Sequence, residues 1–222
     1  MKVFGFIRWF FIFSLICRLT DAQVTLPHIF SDHMVLQQKI PVPIWGWANK
    51  GEKIQVSFNG QTLLTRADSK GQWKVILAPM EAGGPYELII RGKNTLTLHD
   101  ILIGEVWICS GQSNMEWPLS QVKDGAHEVA SANYPQIRLF TVPKKMSAVP
   151  LNDLDNGKWV LCTPQTAAGF SAVGYFFGRH LHHELNVPIG LINSSWGGTI
   201  VETWMSRESS MADPDLSEWL SK

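Results

Sequence analysis

Ser113 stands in the segment CSGQSNMEW, directly after the apolar run EVWIC (Glu105–Cys109). In an open α/β sheet the crevice outside the carboxyl ends of the strands is where ligands bind. A serine placed there faces a substrate, and its backbone N–H can help hold a developing oxyanion. Met115 stands where a G-x-S-x-G nucleophile elbow has its last glycine, so the segment is not that elbow. A second segment, NSSWGGT (Asn193–Thr199), also follows an apolar run. Its adjacent glycines, Gly197 and Gly198, let the backbone approach a ligand closely and present an N–H to it. Taken singly, the first segment reads as a polar loop and the second as a strand-to-loop turn. A Glu-x-Trp follows at Glu202 to Trp204.

The other chemistry-bearing residues are weaker signals. The histidines are His28, His33, His99, His127, His180, His182 and His183. His180 and His183 are three apart, and His180 and Glu184 four apart, a spacing that can present metal ligands on one helix face. A helix with a mixed polar face is the preferred reading. Asp32 and His33 are adjacent, but adjacency does not build a triad. Trp45, Trp47 and Trp73 fall in predicted strands, where they can stack on sugar rings or fill a small β core; core is favoured.

The elements that position these residues change character near Gly104. From about 24 to 103 the chain reads as short strands and turns. KIQVSF (Lys53–Phe58) and QTLLTRA (Gln61–Ala67) flank Asn59-Gly60, a hairpin signal because both turn residues tolerate positive φ. WKVILA, YELIIRG and TLTLHDILIG follow at regular spacing, which predicts a β-sandwich. After 104 come the run into Ser113, a strand IRLFTV (Ile137–Val142), and a helix capped by Ser171. Val173, Phe176, Phe177, His180, Leu181 and Leu185 recur along it at helical spacing. PIGLINSS (Pro188–Ser195) is then a buried strand. Strand, helix, strand predicts a parallel α/β sheet. The tail, DPDLSEWLSK, reads as the start of a helix.

Composition bounds the rest. With 45% hydrophobic and 17% charged residues, the chain has the apolar content of a globular core. Residues 1–22 read as a secretory signal peptide: Lys2 and Arg8, the run WFFIFSLIC, and small Thr20 and Ala22 before Gln23. Arg18 ends the apolar run too early for a spanning helix, and bulky Ile16 disfavours a lipoprotein signal at Cys17. The expected location is therefore secreted or periplasmic, without stable membrane association. Removal of 1–22 leaves 16 basic and 18 acidic residues of the original 19 each, and no basic patch stands out, which argues against nucleic acid as a partner. Cys109 and Cys162 remain; two cysteines can pair, but Cys109 in its apolar strand reads as a buried thiol.

Together, GQSNM and SWGGT at two strand ends, with Glu202-x-Trp204 downstream, resemble the SGNH-hydrolase superfamily. Within it they are similar to the sialate O-acetylesterase family. LPHIFSDHMVLQQ (Leu26–Gln38), PVPIWGWA, GEVWICSGQSNMEW and FSAVGYFFGRHL carry the same likeness, so it covers nearly all of the chain beyond residue 22. The resemblance implies an α/β fold: a β-sandwich module over 23–103, then the first part of an SGNH-type parallel-sheet hydrolase domain over 104–222. It implies Ser113 as nucleophile of acetyl-ester hydrolysis on an acetylated carbohydrate, through an acetyl-enzyme. The Ser113 N–H is one implied oxyanion donor and one of Gly197 and Gly198 the second. Gln112 and Asn114 shape the nucleophile loop, and Trp117, Glu202 and Trp204 line the pocket. No metal or organic cofactor is implied.

The family's third oxyanion donor is an asparagine in a Gly-Glu-x-Asn segment, and its base a histidine in a later Asp-x-x-His segment. Neither pattern occurs after Thr199. Without a base, Ser113 keeps its proton, and such help is typically worth about 10²–10⁴-fold. The expectation is that these 222 residues are the front part of an esterase and lack its catalytic Asp and His. An acetylxylan-type esterase, a non-catalytic carbohydrate-binding module and an inactive homologue are the alternatives.

Overall fold

The computed structural model describes residues 23–220, so the segment 1–22, expected to be a signal peptide, lies outside the described residues. Ten strands run in order: β1 (Val35–Gln37), β2 (Val42–Trp47), β3 (Lys53–Phe58), β4 (Gln61–Arg66), β5 (Gln72–Leu77), β6 (Gly83–Arg91), β7 (Thr95–Gly111), β8 (Tyr134–Thr141), β9 (Val160–Cys162) and β10 (Ile189–Ser195). Six helices accompany them: α1 (Ser113–Glu116), α2 (Gly125–Ser131), α3 (Pro164–Ala167), α4 (Ala172–Leu185), α5 (Arg207–Ala212) and α6 (Pro214–Leu220).

The fold is mixed α/β. One eight-stranded sheet has the order β4-β3-β6-β7-β10-β8-β9, with β1 also paired to β7, and β2 and β5 form a separate two-stranded sheet. β7 pairs antiparallel with β6 through its first part and parallel with β10 through its last, from Glu105 to Gly111. The division expected between 103 and 104 therefore falls inside a single strand. The strand-rich and helix-containing halves share that strand and also a core. Ile44, Val75, Leu77, Ile54, Val56, Leu88 and Ile101 pack in one apolar cluster with Phe140 and Trp159 from beyond the division. The Trp159 indole N–H donates to the Ile29 carbonyl at 2.8 Å, which fixes its ring across the join.

Local signals act as the sequence predicts. Asn59 and Gly60 take φ of 42° and 77°, turning β3 into β4 with Phe58 opposite Gln61. The Ser171 hydroxyl accepts the Gly174 N–H at 3.1 Å and caps α4, and Asn186 ends it in the left-handed region. The face that α4 buries combines small residues with one bulky ring, Tyr175, while other bulky residues point outward. Ala172, Gly174, Tyr175 and Gly178 are buried, while Val173, Phe177 and Leu185 are exposed. The small residues let the helix lie close on the sheet: a Cβ on Gly178 would sit 2.6 Å from the Leu191 side chain. Phe177 instead meets Trp107 of β7 edge-on, 5.1 Å between centroids. Cys109 and Cys162 are free, buried thiols, and burial raises both, Cys162 to about 12.

A charged cluster ties β8 to β7 beneath this. Arg138 is nearly fully buried and holds Asp100 through two bonds, Nη1 to Oδ2 at 2.7 Å and Nη2 to Oδ1 at 3.1 Å. The His33 ring lies 2.7 Å from the same carboxylate. Burial opposes the charge on Asp100, but the Arg138 and His33 hydrogen bonds outweigh it and hold the carboxyl below its usual range. A depressed carboxyl stabilises the fold above its unfolded pKa, and that stability is lost as pH falls through the folded value. Arg138→Met should cost about 2–3 kcal/mol at neutral pH in urea unfolding, because it strips a partner from a partly buried carboxylate. The gap from the unsubstituted protein should narrow below about pH 4.

Candidate active site

Three parallel strands end at one edge of the sheet. β10 lies between β7 and β8, with Asn193 opposite both Cys109 and Thr141, and Ser195 opposite Gly111. The register carries on past the strands: the Trp196 N–H donates to the Gly111 carbonyl at 2.9 Å, and the Val142 N–H to the Asn193 carbonyl at 2.9 Å. In-register parallel pairing thus delivers the segments after β7, β8 and β10 to one place.

Ser113 is exposed and is the first residue of α1, where the leading backbone N–H groups have no intrahelical acceptor. Gly111, with φ of 141°, makes the turn into that loop. A cleft of about 530 Å³ opens here, bounded by Ser113, Glu116, Trp117, Lys144, Asn193 and Ser195. Its floor is polar and buried: the Ser195 hydroxyl donates to Asn193 Oδ1 at 2.7 Å.

Gly197 packs directly on the serine. A Cβ there would lie 3.5 Å from Ser113 Cα and 3.6 Å from Ser113 Cβ. Gly198, with φ of 79°, faces open space, since a Cβ on it would meet nothing within 4 Å. The glycine beside the serine is therefore Gly197. Its N–H donates to Glu116 Oε2, while Glu116 Oε1 accepts from the Lys144 ammonium. The Lys144 bond first, and the Gly197 N–H second, hold the Glu116 carboxyl below its usual range. A carboxylate oxygen thus sits where an N–H beside the nucleophile already binds negative charge.

Of the residues singled out by sequence, Ser113, Gly197 and Trp117 are brought together. Gln112 and Asn114 flank the serine, exposed and outside the cleft wall. Glu202 and Trp204 are not part of that wall either: they lie in a separate 3-10 turn, Val201–Trp204, and the Trp204 indole N–H donates to Thr199 Oγ1 at 2.8 Å. No histidine lines the cleft. His28 pairs with Asp153 at 2.9 Å, His33 with Asp100, and His99 with Glu87 at 2.9 Å. Among the described residues the Ser113 hydroxyl has no hydrogen-bond partner, and no cluster of three or more His, Cys, Asp or Glu side chains is arranged to hold a metal.

Residues 103–214 match the family model of carbohydrate esterases described as sialic acid-specific acetylesterase. The chain belongs to the sialic acid-specific acetylesterase family. The mouse sialate O-acetylesterase is 37% identical over 202 residues, covering 81% of this chain, and the human one 35% identical over 201 residues, covering 82%. The crystal structure of a carbohydrate acetylesterase from Xanthomonas citri superposes with a TM-score of 0.83 at 46% identity, over 87% of this chain. This family member spans 37% of the mouse protein's length and 45% of the Xanthomonas chain.

Four further residues of this acetylesterase-family cleft were not singled out from the sequence. Asn193 and Ser195 are two apart on one face of β10, a strand periodicity that points at the site. Glu116 is three residues from Ser113 on the same short helix and so shares its face. Lys144 comes from an irregular loop after β8, and no local pattern announces it. Replacing Lys144 with Met removes the main cause of the low Glu116 pKa. The Glu116 carboxyl should then titrate closer to an ordinary glutamate, read by side-chain carbon NMR across the acid range.

Proposed function

We propose that the protein is a serine carboxylic ester hydrolase that removes O-acetyl groups from sugars, with Ser113 as nucleophile. The observation that carries this reading is the packing of Gly197 against Ser113 at the ends of paired parallel strands. The Ser113 oxygen attacks the acetyl carbonyl carbon, and the carbonyl π pair moves onto its oxygen. The backbone N–H groups of Ser113 and Gly197 receive that oxyanion once Glu116 gives up the Gly197 N–H. Collapse expels the sugar oxygen, which leaves with a proton, and the acetyl group stays on Ser113. Water then attacks the acetyl-enzyme and releases acetate.

The histidine that takes the serine proton is not among the cleft-lining residues. In this reading it belongs to a part of the protein outside them, as does the third oxyanion donor. Residues 23–103 act as a β-sandwich-like module on the catalytic half 104–222, and 1–22 direct export. Acetylated sialic acids are the first substrate class to test, because the relatives bear that name. Acetylated xylan is the second. No helix among the described residues is long and apolar enough to cross a membrane.

The test is acetate release from O-acetylated sialic acid by the full-length gene product. Ser113→Ala should lower kcat by about 10⁴-fold or more at unchanged melting temperature, since removing a nucleophile removes its covalent route. A variant with full activity would exclude Ser113.

A further inference from the structure

We propose that the outer face of the β2–β5 sheet is a second, non-catalytic binding site for a pyranose ring of a glycan. A cleft of about 550 Å³ lies there, apart from the one at Ser113 and of ordinary size for a small-ligand site. It is bounded by Trp45, Trp47, Asp68, Gln72, Lys74 and Asn152. Strand alternation puts Trp45 and Trp47 on the same face, roughly 7 Å apart along β2. The antiparallel register sets Lys74 opposite Trp45 and Gln72 opposite Trp47. Two indoles in a row thus face a row of polar side chains across one strand gap.

The two indoles are held, not loose. Phe30 meets Trp45 edge-on with 4.6 Å between centroids. The Trp47 backbone is pinned by paired bonds with Thr25, at 2.9 and 3.0 Å. Yet Trp45 and Trp47 are only half-buried, whereas Trp73 between them on the other strand is buried, at 3% exposure. The core reading of these tryptophans therefore holds for Trp73 and in part for Trp45, which packs against the same apolar cluster, while Trp45 and Trp47 each leave surface to solvent.

Most of the polar side chains around them keep free capacity. Asp68 Oδ1 accepts the Lys70 and Gln72 N–H groups at 2.8 and 2.9 Å, which leaves Oδ2 free. The Gln72, Lys74 and Asn152 side chains make no hydrogen bond among the described residues.

A pyranose ring fits this chemistry. It has apolar C–H faces that stack on indoles and a rim of hydroxyls that need donors and acceptors together. Amides, an ammonium and a carboxylate around two indoles supply both. Asn152 comes from the segment between β8 and β9, so the cleft bridges the β2–β5 sheet and the helix-containing half. The inference does not depend on Ser113 being a nucleophile.

The experiment uses the protein carrying Ser113→Ala, so that nothing is turned over at the first cleft. Sialyllactose, as acidic glycan, and xylohexaose, as neutral one, are titrated while the tryptophan indole N–H resonances are followed by NMR. Saturable shifts of the Trp45 and Trp47 indoles with either glycan, weakened about tenfold or more by Trp47→Ala, support the site. The acidic and neutral arms then tell which class it takes. If Trp47→Ala does not fold, the exposed double substitution Gln72→Ala/Lys74→Ala carries the same expectation. No shift of these indoles with either glycan, or binding that the folded variants leave unchanged, overturns the inference.

Discussion

β7 is the constraint on which the structure depends. Its first part is antiparallel to β6 and its last part parallel to β10, so one strand belongs to two kinds of sheet. Where the change occurs, β1 stops pairing and the Pro188 carbonyl comes against Gly104; a Cβ on Gly104 would lie 2.0 Å from that oxygen. A side chain there would force apart the strands that hold the serine segment. The consequence is mechanical. The strand-rich half acts as a rigid grip on the strand whose far end carries Ser113, and the shared core of Phe140 and Trp159 with Ile44 and Ile54 keeps that grip from pivoting.

At the far end the site is organised by charge. The Gly197 N–H has an anion to bind, and Glu116 provides it while Lys144 balances the carboxylate. An N–H that already holds a carboxylate oxygen beside the serine has the position and polarity for an acyl oxyanion. In the proposed reaction the same bond sets a condition: the acyl oxygen takes the place of Glu116 at the Gly197 N–H. Lys144 is the group that can keep the released carboxylate, so the loop after β8 takes part in the site although it carries no reacting atom.

Much of this was legible in the sequence, for identifiable reasons. Asn59-Gly60, the Ser171 cap and the runs before Ser113 and Asn193 depend on local chemistry, and each formed as read. The Ser113 and Gly197-Gly198 segments were read as sharing a site, but only the packing shows that Gly197 is the glycine beside the serine. What local pattern does not show is equally physical. The change of pattern near 103 falls within β7, because a strand can change partners without changing its own conformation. The buried face of α4 was legible only in part: Phe176 and Leu181 pack on the core as their spacing suggests, but Gly174 and Gly178, which periodicity scores as neutral, lie on that face beside Tyr175, while Val173 and Phe177 point outward. Glu202 and Trp204 came from the Glu-x-Trp of the family likeness; they stand in a 3-10 turn after the glycines and do not line the cleft at Ser113. Lys144 is a long-range partner, and only the fold brings it to Glu116.

The most direct test of the central claim is to mix the full-length gene product with an acetyl ester, quench in acid, and map the acetyl group by peptide mass spectrometry. The account predicts an acetyl adduct on the peptide bearing CSGQSNMEW, at Ser113, that disappears in Ser113→Ala. Hydrolysis that proceeds with no adduct at Ser113, or with the acetyl group on another residue, would contradict it.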